Sequence, residues 1–182
     1  MQELKKLKLG TILETKWQGD TTFMRIRVFQ SSDINQMVSL FYETVHVVNA
    51  RDYTKEQLNA WAPQDEMDAK LINWKDSFVR NITYIVETND EIVGFGDMTR
   101  NGYLDRLFVH KNFQGQGIAT ALTNRLESEA RKIGLTKMET EASITAKPFF
   151  ERHGYQVNEP QTVERKGITL VNFKMSKRLI FE

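Results

Sequence analysis

YLDRLFVHKNFQGQGIATALTNRLESEA, Tyr103 to Ala130, changes its apolar period halfway along. Leu104, Leu107, Phe108 and Val109 form an apolar run of strand character. Gln114 to Gly117 is a glycine-containing turn, and Ile118, Leu122, Leu126 and Ala130 recur at four-residue spacing as one face of a helix. Strand, glycine turn and helix in that order build an anion site. The first backbone N–H groups of a helix have no partner inside it, and they carry the positive end of its dipole. Gly115, Gly117 and Ala119 keep side chains short enough for a phosphate to reach the main chain. The spacing is not that of the common nucleotide motifs: there is no G-x-x-x-x-G-K-[ST], and Thr120 fills the third glycine position of G-x-G-x-x-G.

Outward from this stretch, 182 residues suffice for one domain with a sizeable core. We expect an N-terminal extension over 1–23, whose alternating leucines and lysines (Leu4 to Leu9) suit an added strand, an interaction arm or a poorly ordered tail, and a single domain over 24–182. A net charge of +1, with basic residues scattered among acids, gives no reason to expect a nucleic-acid partner. The absence of cysteine removes disulfides, thiolate metal sites and a Cys nucleophile, and His46, His110 and His153 are too dispersed to suggest a metal cluster. No apolar run approaches the roughly 18 residues of a membrane span, and residues 1–23 lack a signal-peptide core, so the expected location is cytoplasmic.

Met24 to Phe29 alternates like a first strand. Ser31-Ser32-Asp33 is an N-cap cluster before the helical stripe Ile34, Met37, Val38, Phe41, Val45 and Val48. Thr54 and Gln57 have capping-box spacing for a second helix that Pro63 ends, and Asp65 to Phe78 reads as a third. Ile82–Glu87 and Ile92–Thr99 are strands joined by Thr88-Asn89-Asp90, and Asn101-Gly102 predicts a type I′ hairpin into Tyr103. After the central helix, Gly134 is a C-cap and Thr136–Glu141 a fifth strand reached by a strand-helix-strand crossover, hence parallel to the fourth. Thr145 can cap a short helix ending at Gly154, and Tyr155–Arg165 and Ile168–Met175 close the chain as a hairpin about Lys166-Gly167.

Gln114-Gly115-Gln116-Gly117-Ile118-Ala119 resembles the Q/R-x-x-G-x-G/A signature of the GNAT superfamily of acetyltransferases, and the element order β-α-α-α-β-β-β-α-β-α-β-β is similar to that fold over about Met24 to Leu179. The resemblance implies an α/β (α+β) domain. Its mixed, mostly antiparallel sheet has six to seven strands and helices on both faces, and the fourth and fifth strands run parallel and splay apart. It implies acetyl-CoA as cofactor, its diphosphate on the amides of Gln116 to Thr120, Gln114 at the entrance, and its pantetheine along the backbone of Leu107, Phe108 and Val109. An oxyanion would meet an N–H near Val109, a donor type whose loss costs about 3 kcal/mol elsewhere. Many members carry a tyrosine acid in A-x-x-L-Y-x-x-x-G-F. Here Ala146 to Tyr155 matches with Phe150 at the tyrosine position, and Ser143 stands where asparagine is frequent. Phenylalanine donates no proton, which leaves Tyr42 and Tyr155 in reserve.

Acyl transfer needs a neutral amine, and an alkyl ammonium has a pKa of about 10.4, so a group must accept a proton. By strand alternation Tyr103, Asp105, Leu107 and Val109 share one face, which makes Asp105 the first candidate base and Tyr103 the second; Arg106 or Arg165 could instead pair with Asp105. Tyr42, His46, Tyr53 and Trp61, with Asn49, Arg51 and Asp52 nearby and Arg165 and Asn172 flanking the last turn, are candidates for the acceptor pocket. The expected function is direct acetyl transfer from acetyl-CoA to a primary amine of a small molecule, with a second copy of the chain as an open partner. The alternatives are a non-catalytic acyl-CoA sensor, or an acetyltransferase of protein N-termini or aminoacyl-tRNA.

Overall fold

A computed structural model describes residues 11–17 and 20–180. Its sheet has eight strands, one more than expected, in the order β1 (Thr11–Trp17), β2 (Asp20–Val28), β3 (Ile82–Thr88), β4 (Glu91–Met98), β5 (Tyr103–Val109), β6 (Lys137–Ser143), β8 (Ile168–Arg178), β7 (Gln156–Arg165). The eighth comes from the N-terminal side: Thr11 pairs with Ile26 and Trp17 with Asp20, so the strand expected from Met24 starts four residues earlier. Residues 1–10 and 18–19 of the expected extension lie outside the described residues. Every neighbouring pair is antiparallel except β5 and β6.

Turn chemistry explains the hairpins. Asn89 (φ 48°) and Asp90 (φ 61°) are both left-handed, as are Lys166 (φ 51°) and Gly167 (φ 76°), so these are the type I′ connections. At Asn101-Gly102 the expectation was wrong: only Gly102 (φ 93°) is left-handed, and its N–H closes on Thr99 O at 3.0 Å, giving a type I turn followed by a glycine.

Helices cover both faces. α1 (Ile34–Val47), α2 (Lys55–Trp61) and α3 (Met67–Arg80) lie on one, α4 (Ile118–Lys132) and the short α5 (Lys147–Arg152) on the other. Ser31–Asp33 forms a 3₁₀ turn leading into α1, with the Asp33 carboxylate accepting the Gln30 N–H at 2.7 Å. Thr54 and Gln57 make the reciprocal capping box. Thr145 does not cap α5: its hydroxyl donates to Asp52 at 2.6 Å, and Ser143 Oγ takes the Ala146 N–H instead. The α4 stripe of Ile118, Leu122, Leu126 and Ala130 is fully buried, each larger side chain contributing about 1.5–3 kcal/mol. On the opposite layer Trp74 and Phe78 of α3 meet Phe95, and Phe41 of α1 meets Trp74 and Phe108 edge-on. Among the described residues no helix is long and apolar enough to cross a membrane.

Two irregularities shape the middle of the sheet. On β4, Val86 faces Gly94 while Glu87 faces Ile92, so Val93 is an extra residue. On β5, Asp97 faces Arg106 while Met98 faces Leu104, so Asp105 is an extra residue. Such bulges bend the strand that carries them. β5 and β6 pair only at Tyr103 with Glu139 and Leu104 with Thr140, and they part at the bulge.

Candidate active site

The glycine turn presents its backbone as the sequence implies. Gly115 (φ 74°) and Gly117 (φ 81°) are left-handed, and a Cβ built on either would meet nothing within 4 Å. Gly117 is the residue from which α4 springs. Among the described residues the amides of Gly115 to Thr120 donate to no acceptor; the first backbone bond of the helix is Ala121 N–H to Gly117 O, at 2.9 Å. Free donors at a helix N-terminus, five of them on residues that line an open hollow, suit a diphosphate. Gln114, Gly115, Gly117, Ile118, Ala119 and Thr120 line a cleft of about 940 Å³, and Gln116 lies outside that lining. The Gln114 side chain turns back, Nε2 donating to Val109 O at 2.6 Å.

The cleft continues into the gap between β5 and β6. Thr44 Oγ1 donates to Val109 O at 3.0 Å, so with Gln114 both lone pairs of that carbonyl are occupied. The His110 N–H goes to Val93 O on β4, at 2.9 Å, and backbone alternation then turns the amides of Leu107 and Val109 into the gap. These donors fit an extended ligand with amide groups and an oxyanion at its end, and the residues present therefore fit acetyl-CoA.

The expected shared face of Tyr103, Asp105, Leu107 and Val109 does not exist. The bulge at Asp105 inverts the alternation, so Leu107 and Val109 join Leu104 under α4, while Arg106 and Phe108 point with Tyr103 towards α1 to α3. Asp105 Oδ2 is engaged by Arg106 Nη2 at 2.8 Å. Arg106 is itself buried between Trp74 and Phe78, its guanidinium bidentate on Asp97 (2.7 and 2.8 Å) and also donating to Ser77 Oγ at 2.6 Å. Burial pushes the Asp97 carboxyl up, against the pull of that guanidinium. Asp105 Oδ1 has no partner among the described residues.

On the acceptor side Tyr53, Trp61, Arg165 and Asn172 line the cleft, joined by Phe41, Lys70, Trp74, Glu141, Val163 and Leu170. Tyr53 is fixed there because its hydroxyl donates to Val171 O at 2.7 Å and accepts the Ile144 N–H at 2.9 Å, tying the end of β6 to β8; burial raises its pKa. Tyr42 and His46 lie off the lining. Tyr42 is buried with its hydroxyl donated to Pro63 O at 2.7 Å, and His46 Nε2 bonds Ala62 O at 3.0 Å, so both join α1 to the end of α2. Phe150 lines the cleft, 3% exposed, with its ring against Phe149 and Tyr155. Tyr155 is unavailable as an acid: its hydroxyl turns onto Met138 Sδ at 3.8 Å, away from the cleft. Ser143 lines the cleft with Oγ accepting the Ala146 N–H at 3.1 Å, just ahead of α5.

Residues that sequence reasoning missed include Thr44, Glu141 and His153. His153 Nδ1–H donates to Phe149 O at 2.8 Å, which leaves Nε2 to accept the Thr120 hydroxyl at 3.0 Å, on the first turn of α4. No spacing signal links positions 33 residues apart; only the fold does.

Comparison with known proteins agrees with this geometry. The family model described as "Acetyltransferase (GNAT) domain" matches residues 49–177. YafP of Escherichia coli K12, described as an uncharacterized N-acetyltransferase, is 34% identical over 153 residues, covering 84% of this chain and 94% of the relative. A GCN5-related N-acetyltransferase from Rhodopseudomonas palustris superposes with a TM-score of 0.78 at 28% identity, over 85% of this chain and 94% of that one. The PaiA N-acetyltransferase of Thermoplasma acidophilum, solved in complex with coenzyme A, gives 0.68 at 16% identity, over 85% and 98%. With a phosphate cradle on one face, an aromatic chamber on the other and a splayed parallel pair between them, the chain belongs to the GNAT family of N-acetyltransferases.

Proposed function

We propose that the protein moves an acetyl group from acetyl-CoA directly to a primary amine of a small molecule. The observation that carries this reading is the cleft that passes through the sheet at the β5–β6 gap, with free amides on the α4 side and aromatic walls on the other. Acetyl-CoA supplies an activated thioester carbonyl. The chain's part is to bind the diphosphate on the amides of Gly115 to Thr120, to present the Val109 N–H to the developing oxyanion, and to receive the amine between Tyr53, Trp61, Trp74 and Phe108. The carboxylates of Asp105 and Glu141 and the phenol of Tyr103 line the same cleft, which supports loss of a proton by the amine there.

A second reading, a sensor that binds acyl-CoA without turnover, is favoured by Phe150, which occupies the position of the family's tyrosine acid.

Two measurements decide. Acetyl-CoA at 100 times its Kd should add about 2.7 kcal/mol, a rise in Tm of roughly 5–11 °C for a chain of this size; no rise removes acetyl-CoA from the account. Thiol release is then followed with polyamines, aminoglycosides, amino acids and peptides. Release with an alkyl amine supports transfer, and binding with no release across the panel supports the sensor.

A further inference from the structure

Glu141 on β6 shares its sheet face with Tyr103, because Glu139, two residues earlier, is Tyr103's partner in the parallel ladder. It lines the cleft and is the first side chain of that face beyond the last β5–β6 pair, at the lip of the gap. Lys174 sits directly across the β6–β8 ladder but gives its ammonium to Glu159 at 2.6 Å. Among the described residues Glu141 therefore has no ion-pair partner. Its polar contact is with Asn172, whose Nδ2 donates to Oε2 at 3.4 Å, while Asn172 Oδ1 is buried without a partner. Asp105 differs, since Arg106 already engages it. Asp105 shares the Arg106 guanidinium with buried Asp97, whereas Glu141 has no cation within ion-pair distance among the described residues, so an entering cation finds at Glu141 a carboxylate with no direct ion pair.

We propose that Glu141, with Asn172 Oδ1 beside it, receives the acceptor's ammonium and takes its proton, which makes the acceptors alkyl amines, cationic at neutral pH, in preference to anilines. This rests on the acetyl-transfer reading above. The acceptor arrives as R–NH3+. One proton passes to the Glu141 carboxylate and on to solvent, since the side chain is exposed. The nitrogen lone pair then forms the N–C bond to the acetyl carbon as the C–S bond breaks. The second proton shed by nitrogen goes, through solvent in the open cleft, to the departing thiolate, so the products are the amide and the free thiol and no acid is needed at Phe150.

The test compares Glu141→Gln with Asp105→Asn, using the acetyl-CoA melting shift as the control for folding and cofactor binding. The most active alkyl amine of the panel is titrated calorimetrically into protein without acetyl-CoA, and its turnover is measured beside that of aniline. Glu141→Gln is expected to weaken alkyl-amine binding about tenfold and to lower kcat about 100-fold, the low end for a lost general base. Its acetyl-CoA shift and its slow rate with aniline should stay as in the wild type, and Asp105→Asn should lose less alkyl-amine binding and less kcat than Glu141→Gln, because Arg106 already engages that carboxylate. Wild-type binding and turnover in Glu141→Gln, or losses confined to Asp105→Asn, overturn the assignment. A wild type that binds acetyl-CoA and acetylates no amine removes the transfer reading and the role of Glu141 with it. That outcome is recognised by the wild type itself being silent.

Discussion

At the scale of single residues, Tyr103 shows how burial decides a role. A phenol serves as a base only after losing its proton, and burial, helped by the charges of Glu141 and Asp105 and opposed by Arg165, pushes this hydroxyl up to about 12. Near neutral pH it stays protonated and can only donate or accept a hydrogen bond, which argues against the second of the two bases that the sequence suggests. The sign for stability follows. The unfolded tyrosine ionises near pH 10, before the folded one, so the stability that neutral Tyr103 contributes is present below pH 10 and is lost as pH rises towards 12. The Tm of the wild type relative to Tyr103→Phe should therefore be lower at pH 11 than at pH 8, and the difference between their phenolate absorbance titrations should show a group ionising near pH 12. Its kcat/KM should fall about three- to tenfold, the worth of one neutral hydrogen bond of roughly 0.5–1.5 kcal/mol. A 1000-fold fall would make Tyr103 a proton-transfer group after all.

Between residues and the fold lie the elements, and the contact that sets the cofactor side is α4 on β4. A Cβ at Gly94 would stand 2.6 Å from Ile118 Cγ2, and one at Gly96 would meet Leu107 and Leu126 side chains at 3.1 and 3.3 Å. Ile118 is the first residue of α4, so Gly94 sets how closely the start of that helix, with its free amides, approaches the sheet. Gly94→Ala should cost about 1–3 kcal/mol by overpacking, lowering Tm by roughly 2–12 °C, and should weaken acetyl-CoA binding in calorimetry; unchanged affinity would show that the helix start is not set from below. The helix itself, its glycine turn and the element order were legible because each leaves a local trace: a 3.6-residue period, a left-handed glycine, a capping box at Thr54 and Gln57. The bulge at Asp105 left none. One extra residue in a seven-residue strand is invisible to two-residue alternation, yet it reverses the faces of Leu107 and Val109 and helps open the cleft. The acceptor chamber was half legible for a related reason. Tyr42, His46, Tyr53 and Trp61 are all polar-tipped, and only the packing of α1 against α2 turns the first two onto the end of α2 and the last two into the cleft. Glu141, Asn172 and His153 acquire their partners through pairings across 31 and 33 residues that no local pattern announces.

For the molecule as a whole, the sheet is a wall with one opening. The free amides of the glycine turn lie on the α4 side and the aromatic lining on the side of α1 to α3, so on the proposed reading two ligands approach from opposite faces and meet where β5 and β6 have parted. A covalent relay would need a nucleophile at that opening. The chain has no cysteine, Ser143 Oγ accepts the Ala146 N–H, and Thr44 Oγ1 is given to the Val109 carbonyl. On the proposed direct transfer, both ligands are bound together when the acetyl group crosses. Initial rates measured at several fixed amine concentrations should give double-reciprocal lines that intersect, and protein incubated with acetyl-CoA alone should gain no acetyl group by intact mass. Parallel lines together with a stable acetylated protein would mean that the acetyl group pauses on a side chain, and the through-sheet geometry would then have to be rebuilt around that residue.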